Sequence, residues 1–293
     1  MIAGFFIFAL CIMMAMQRNH SYLVNGSFDQ AISVFDRGFS YGDGVFRTMK
    51  MRSGMPVSWP FHYQKLVADC AAIGIVCPSA ELLMSDLQKL FEQELFSDDS
   101  TQVAKIMITR GEGERGYAPP TITVPTRVVI KSAFPQYAEA LYVKGAQLHL
   151  CNIRLAAQPK LAGIKHLNRL ENVLARMEWR EDAIFDGLLL DTTGNVIECT
   201  MSNIFARYGR DLLTPDLSQC GVAGITRERI LGLSSVLGLD VQVKPLTLEQ
   251  FLQADEIIIC NSLYGAFQVT AIHHHNWPQQ DLAANIRNIV AHD

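Results

Sequence analysis

Strand patterns and helix patterns mix irregularly along this chain of 293 residues. Runs rich in β-branched residues occur at 103–109 and 126–130, whereas apolar residues recur at helical spacing over 61–73 and again after Ser79. A doubly wound parallel sheet requires strands and helices in strict alternation. The irregular order therefore predicts an α+β fold.

The pattern weakens between Lys131 and Ala140, and we place a domain boundary there. We predict a smaller α/β domain over 21–134 and a larger domain over 135–293. The apolar run that begins the extension 1–20 is about 16 residues long, which is short for a membrane span of about 20. We interpret the extension as the product of an upstream start codon, with Met16 as the native start; a membrane-anchored form is the alternative.

Charge and composition narrow the class of function. The net charge is −4, the pI is near 6.1, and no long block of Lys or Arg occurs, which argues against nucleic-acid binding and favours a small-molecule substrate. The seven cysteines lack the C-x-x-C spacing of a zinc site or disulfide framework, and we interpret them as reduced thiols of a cytosolic protein. His273–His275 lack further ligands nearby in sequence, so we predict no metal site.

Lys165 is the first candidate for chemistry. It stands between apolar residues, at the start of a helix that we predict over 166–180. Partial desolvation in such a place lowers the pKa of a lysine and makes its neutral amine available as nucleophile and base. Taken alone, a lysine is more often a solvated surface group.

Glu198 is the second candidate, because it stands between Ile197 and Cys199 inside a predicted strand. A carboxylate there needs a partner, and a protonated pyridine nitrogen would serve, since the charge keeps that ring an electron sink. The alternative is a residue on the solvent face of the strand.

The third candidate is the segment Gly224–Arg227, which opens a helix that we predict over 226–237. Backbone N–H groups at a helix start, together with the Thr226 hydroxyl, suit a phosphate. The alternative is an ordinary helix cap without a ligand.

These three features occur together and in order, and from about Tyr22 onward the chain resembles the fold-type IV pyridoxal-phosphate (PLP) enzymes, the branched-chain and D-amino-acid aminotransferase family. The phrases that carry the resemblance are Asp36–Gly38, Tyr41–Phe46, Arg110–Tyr117, Leu161–Glu171 and Ala254–Ser262. The resemblance implies a two-domain fold like that of D-amino-acid aminotransferase, with PLP bound in the larger domain. Within the family, the phrase from Leu161 to Glu171 is most similar to the aminodeoxychorismate lyases.

The resemblance also implies roles for individual residues. Lys165 would form the Schiff base with PLP, Glu198 would pair with the ring nitrogen, and Thr48 is a second candidate proton donor. The cofactor phosphate would be held by Ile225, Thr226, Asn261, Ser262 and Lys65. The family usually has arginine where Lys65 stands, and lysine supplies the charge without the two-pronged contact. The family more often has Glu or Thr where Arg47 stands.

Substrate-binding candidates lie mainly in the Gly-rich loop from Arg110 to Tyr117. Arg110, Arg115 and Tyr117 suit a dicarboxylate substrate, and Tyr41 is a fourth candidate. The alternative for each arginine is a solvated surface position.

The activity that the resemblance implies is a lyase reaction in folate biosynthesis. 4-Amino-4-deoxychorismate would be converted to 4-aminobenzoate and pyruvate by a cytoplasmic homodimer, linked functionally to aminodeoxychorismate synthase and without nucleic-acid or membrane partners. One alternative is a D-amino-acid or branched-chain aminotransferase, which would lose its visible absorbance on mixing with an amino acid alone. The other alternative is a homologue that binds PLP without turnover.

Overall fold

The computed structural model describes residues 21–91 and 101–292. The extension 1–20, with its predicted start at Met16, lies outside the described residues. No helix within the described residues is both long enough and apolar enough to cross a bilayer. Two β-sheets with helices packed on them confirm the α+β prediction. The domain boundary near Pro135 stays a prediction.

The first sheet is antiparallel throughout and is called the small sheet. Its strands are β1 (Tyr22–Val24), β2 (Gly44–Arg52), β3 (Met55–Pro56), β4 (Thr101–Thr109) and β5 (Thr126–Ala133). They lie in the order β1-β5-β4-β2-β3. The β2–β3 turn places Ser53 and Gly54 at φ 48° and 76°, the positive values that match the twist of a two-residue hairpin.

Helices α1 (Arg37–Tyr41), α2 (Trp59–Ala72) and α3 (Ala80–Phe91) accompany the small sheet. The apolar faces of α2 and α3 pack on it around Leu66, Cys70, Leu83 and Leu87. Because β2 alternates its side chains, Val45, Arg47 and Met49 point towards this core, and Phe46 and Thr48 point to the other face. One face of β2 therefore packs in the core, and the other face carries partly exposed side chains.

The second, larger sheet has nine strands. They are β6 (Ala146–Leu155), β7 (Ile184–Asp191), β8 (Val196–Cys199), β9 (Asn203–Tyr208), β10 (Asp211–Thr214), β11 (Asp240–Val243), β12 (Glu256–Asn261), β13 (Gly265–Ile272) and β14 (His275–Asn276). The order is β11-β10-β9-β12-β13-β6-β7-β8, with β14 beside β13. Residues 257–260 of β12 are all buried, because apolar clusters cover both faces of the sheet there.

Within the described residues, six helices accompany the larger sheet: α4 (Glu139–Lys144), α5 (Leu170–Arg176), α6 (Ile225–Leu231), α7 (Ser234–Leu237), α8 (Leu248–Leu252) and α9 (Leu282–His292). The helix predicted over 226–237 is divided into α6 and α7. Gly232 and Leu233 separate the two helices, and glycine is a poor helix former.

The helix predicted over 166–180 is wrong at both ends, because α5 begins only at Leu170 and ends at Arg176. Residues 165–167 pair instead with strand β2. The backbone N–H of Phe46 donates to the carbonyl of Lys165 at 2.9 Å. Pairing with a distant strand overrides local helical spacing here, and it brings Lys165 to the small sheet.

Candidate active site

A cavity of about 560 Å³, called here the central cavity, is lined by residues from both sheets. It gathers seven of the predicted site residues: Thr48, Lys165, Glu198, Ile225, Thr226, Asn261 and Ser262. These residues lie on five separate segments of the chain. The geometry therefore brings together groups that the sequence could only suggest one by one.

The amine of Lys165 lies 4.7 Å from the centre of the Phe46 ring. Burial, and after it the charge of Arg47, lowers the pKa of Lys165 to about 8, although Glu198 opposes the shift. A lysine with this pKa is partly neutral at physiological pH, which a nucleophilic or basic amine requires.

Glu198 on β8 is buried, and its Oε2 accepts a hydrogen bond from the backbone N–H of Val222 at 2.7 Å. Burial raises the pKa of Glu198 to about 7, while this hydrogen bond, Arg169 and Lys165 act in the opposite direction. A cationic ligand group beside Glu198 would favour the charged carboxylate. Glu198 is thus placed to pair with a cationic group of a bound ligand.

A buried polar network, which the sequence analysis missed, supports the cavity wall next to Glu198. Asp186 accepts hydrogen bonds from the hydroxyls of Thr200 at 2.6 Å and Ser202 at 2.7 Å. The Ser202 and Tyr264 hydroxyls lie 2.6 Å apart. Both Thr200 and Ser202 line the central cavity, so these bonds fix the shape of its wall.

The opposite end of the cavity suits an anion. Ile225 and Thr226 begin α6, whose start no side chain caps. Ser262 donates its hydroxyl to the carbonyl of Thr48 at 3.2 Å, which joins β2 to the loop after β12. Asn261 lines the same end. The hydroxyls of Thr226 and Ser262 and the amide of Asn261 therefore line the same end of the central cavity.

A smaller cavity of about 190 Å³ shares six lining residues with the central cavity. The cations that line it are Lys50, Arg52, Arg229 and Arg287. No carboxylate occurs among its described lining residues. The resulting positive potential suits a phosphate.

Two buried nitrogen atoms in the described part of the chain have no hydrogen-bond partner and belong to residues that line the central cavity: Arg47 Nε and His62 Nδ1. An unsatisfied buried polar atom costs about 1–3 kcal/mol, which a ligand oxygen would relieve. An amine, a buried carboxylate and a cationic end together match the aldehyde, ring nitrogen and phosphate of PLP. The residues present therefore fit this cofactor.

Lys65 lies outside the group of residues that line the central cavity. Its ammonium contacts Asp69 and donates to the carbonyl of Gly163 at 2.9 Å. Burial and Arg47 lower the pKa of Lys65, and Glu228 opposes that shift. The contacting Asp69 carboxylate favours the charged ammonium. Arg47, where the family more often has Glu or Thr, does line the central cavity.

Asp69 is a second residue that the sequence analysis missed. It is 1% exposed on α2, and its carboxylate contacts Arg47 and Lys65. The signal was available, because Asp69 shares a helix face with the apolar Leu66 and Cys70, where a carboxylate is out of place.

The predicted substrate residues lie apart from Lys165 within one chain. Arg110 forms a two-pronged ion pair with Asp43 at 2.8 and 2.9 Å and does not line the central cavity. Arg115 and Tyr41 line a different cavity of about 930 Å³. Tyr117 is 85% exposed, with its ring centre 5.4 Å from that of Tyr41.

Arg169 is the third residue that the sequence analysis did not assign. It lines the central cavity and also the adjoining cavity of about 630 Å³, and so does Glu198. Its Nε donates to the carbonyl of His166 at 3.1 Å. Its position four residues after Lys165 in the recognised phrase was the available signal.

Comparison with known proteins agrees with this geometry. The family model described as amino-transferase class IV matches residues 44–272. An aminodeoxychorismate lyase from Vibrio harveyi is 36% identical over 251 residues, which cover 86% of this chain and 91% of the relative. A putative branched-chain-amino-acid aminotransferase from Methanocaldococcus jannaschii is 30% identical, over 80% of this chain and 82% of the relative.

A solved structure gives the same picture. The crystal structure of 4-amino-4-deoxychorismate lyase from Pseudomonas aeruginosa superimposes with a TM-score of 0.86 and 38% sequence identity. The match covers 93% of this chain and 98% of that one. The irregular order of strands and helices is therefore the order of a known fold.

Proposed function

Because this chain belongs to the amino-transferase class IV family, we propose that it is a PLP-dependent aminodeoxychorismate lyase, which converts 4-amino-4-deoxychorismate to 4-aminobenzoate and pyruvate. The observation that carries the proposal is the central cavity, where Lys165, Glu198 and Thr226 meet in a chain so similar to two lyases. We place the reaction in folate biosynthesis in the cytoplasm, after the step of aminodeoxychorismate synthase.

Three residues carry out the proton transfers and stabilise the cofactor in the proposed reaction. PLP, when bound, supplies an electron sink for the electron pair that remains when a proton leaves the carbon bearing the substrate nitrogen. Lys165 takes that proton through its neutral amine, and Glu198 holds the ring nitrogen in its protonated form. Lys165 or Thr48 donates a proton to the departing enolpyruvyl group. One substrate gives two products, so the atoms balance without an oxidant or a second substrate.

Cofactor binding is assigned to the anion-binding end of the cavity. Thr226 and Ser262 would contact the phosphate through their hydroxyls, and Ile225 through its backbone N–H at the start of α6. Asn261 fixes the turn that contains Ser262, because its side-chain oxygen accepts the N–H of Leu263 at 2.9 Å.

The decisive experiment is 4-aminobenzoate formation from chorismate, glutamine and aminodeoxychorismate synthase, with and without this protein. We expect the product only when this protein and PLP are both present. A parallel sample with an amino acid alone tests the aminotransferase alternative, which would lose its visible absorbance there. No 4-aminobenzoate from PLP-loaded protein beside an active synthase would contradict the proposal.

We also propose that the enzyme acts as a homodimer. The segments 35–39 and 117–124 expose five apolar side chains, called here the loop patch: Phe35, Phe39, Tyr117, Ile122 and Val124. Exposed apolar clusters of this kind mark contact surfaces, and this one adjoins the cavity lined by Arg115 and Tyr41. A second copy would cover the patch and bring the loop residues towards a neighbouring active site.

Light scattering tests the dimer. We expect a particle of twice the 32.7 kDa chain mass under active conditions. Ile122→Glu places a charge in the loop patch and should shift the protein towards the single-chain mass, whereas Val76→Glu, at an exposed apolar position outside the patch, should not. A fully active particle of single-chain mass would rule the dimer out.

A further inference from the structure

We propose that a buried cluster of three charged side chains, Arg47, Asp69 and Lys65, positions the segment that carries Lys165 and sets the charge around its amine. This inference rests on the proposed function, because it takes Lys165 as the reacting amine. Its test reads the amine directly and does not depend on lyase turnover.

The cluster places one carboxylate between two cations. Oδ2 of Asp69 contacts the Arg47 guanidinium, and Oδ1 contacts the Lys65 ammonium. Asp69 is 1% exposed and Arg47 is 3% exposed, whereas Lys65 is 25% exposed. A buried carboxylate persists only where cations and hydrogen bonds satisfy it, so the three side chains depend on one another.

The cluster holds the Lys165 segment through its backbone. Oδ2 of Asp69 accepts the Lys165 N–H at 3.2 Å, and Lys65 donates to the Gly163 carbonyl at 2.9 Å. From the other side, the Phe46 N–H donates to the Lys165 carbonyl at 2.9 Å. Helix α2 and strand β2 thus fix both backbone polar groups of the lysine.

The cluster also contributes to the charge that the amine experiences. The charged and titratable groups facing Lys165 are Arg47 on β2, Lys65 on α2, Lys105 on β4, His166 and Arg169 on its own segment, and Glu198 on β8. Asp69 cancels one positive charge of the cluster, which otherwise carries two. Removing only that carboxylate therefore makes protonation of the Lys165 amine harder.

The experiment measures the reactivity of Lys165 in the full-length chain before PLP is added. Trace acetylation with acetic anhydride over a pH series, read by mass spectrometry of the Lys165 peptide, gives the pKa of that amine. In Asp69→Asn, an oxygen remains to accept the Lys165 N–H but the charge is lost. We expect the pKa of Lys165 to fall from about 8 by roughly 1 unit, within the range for losing a nearby opposite charge.

Two further variants separate charge from structure. Lys65→Met removes one cation, and we expect it to raise the pKa of Lys165. Lys65→Met/Asp69→Asn restores the net charge of the native cluster, and the pKa should return close to the native value. Because Lys65 is partly exposed, the single Lys65→Met variant tests the idea even if Asp69→Asn does not fold.

Asp86→Asn is the matched control. Asp86 is also a buried carboxylate beside the small sheet, paired with Arg127 at 2.8 Å. We expect Asp86→Asn to reduce stability and leave the Lys165 pKa unchanged.

An unchanged Lys165 pKa in both Asp69→Asn and Lys65→Met would overturn the inference, as would a double variant that stays shifted like Asp69→Asn. Failure of the proposed function gives a different result, namely no 4-aminobenzoate while the acetylation profiles still shift as expected.

Discussion

We expect Lys165→Ala to abolish turnover, with 4-aminobenzoate production falling at least about 1000-fold, because under the proposed function one change removes both the covalent anchor of the cofactor and the base that takes the substrate proton. The visible absorbance of the lysine–cofactor linkage disappears with it. The variant should still fold, since the amine faces the central cavity and the segment is held by its backbone. Absorbance and product formation measure the two effects separately.

Lys105→Ala is the control for this variant. The Lys105 ammonium lies 4.8 Å from the centre of the same Phe46 ring that the Lys165 amine faces. Loss of Lys105 should leave a borohydride-reducible bond between protein and cofactor, whereas Lys165→Ala should not. A reducible bond that persists in Lys165→Ala would assign the anchor to another lysine.

We expect Glu198→Gln to keep the cofactor bound but to slow 4-aminobenzoate formation by about 10- to 150-fold. Gln preserves size and can accept the Val222 N–H, but it cannot stabilise a protonated ring nitrogen by charge. One charge-assisted hydrogen bond contributes about 1.5–3 kcal/mol, which gives this range if the loss falls wholly on the transition state for proton removal. Aromatisation of the product eases the later elimination, but proton removal comes first.

The measurement is the rate at saturating PLP, beside cofactor occupancy from the visible absorbance. Glu256→Gln is the matched control, since Glu256 is a buried glutamate of the same sheet that pairs with Arg207 at 3.1 Å and does not line the central cavity. We expect this control to change stability and not the rate at full occupancy. A native rate in Glu198→Gln with full occupancy would show that Glu198 is only a strand residue.

Much of the site could be predicted from the sequence, because its main residues are unusual in their local pattern and occur, in order, within phrases that resemble the family. Glu198 stands in an apolar strand, and Lys165 lies among apolar neighbours. The structure places both, with Thr226, around one cavity. Patterns of this kind involve residues that are close together in the chain, so they can be recognised in the sequence.

Features that depend on distant partners could not be predicted. Helix α5 begins at Leu170 because the preceding segment pairs with β2, a strand far away in sequence. Arg110 lies in a loop that suits a substrate, but Asp43 holds its guanidinium. Spacing along the chain carries no information on which partner a charged side chain will find in space. The phosphate role of Lys65 and the substrate roles of Arg115 and Tyr117 stay predictions.

The attachment of residues 165–167 to β2 has a consequence for the order of folding. Val45 and His166 pair across more than a hundred intervening residues, and contacts of such separation carry a large loop-closure cost. On a ribosome, strands β1 to β5 emerge first, and Lys165 follows soon after β5 ends at Ala133. The cavity residues from Glu198 to Ser262 emerge later still, so a chain truncated just after residue 167 would carry the lysine without most of the groups that we propose to bind the cofactor.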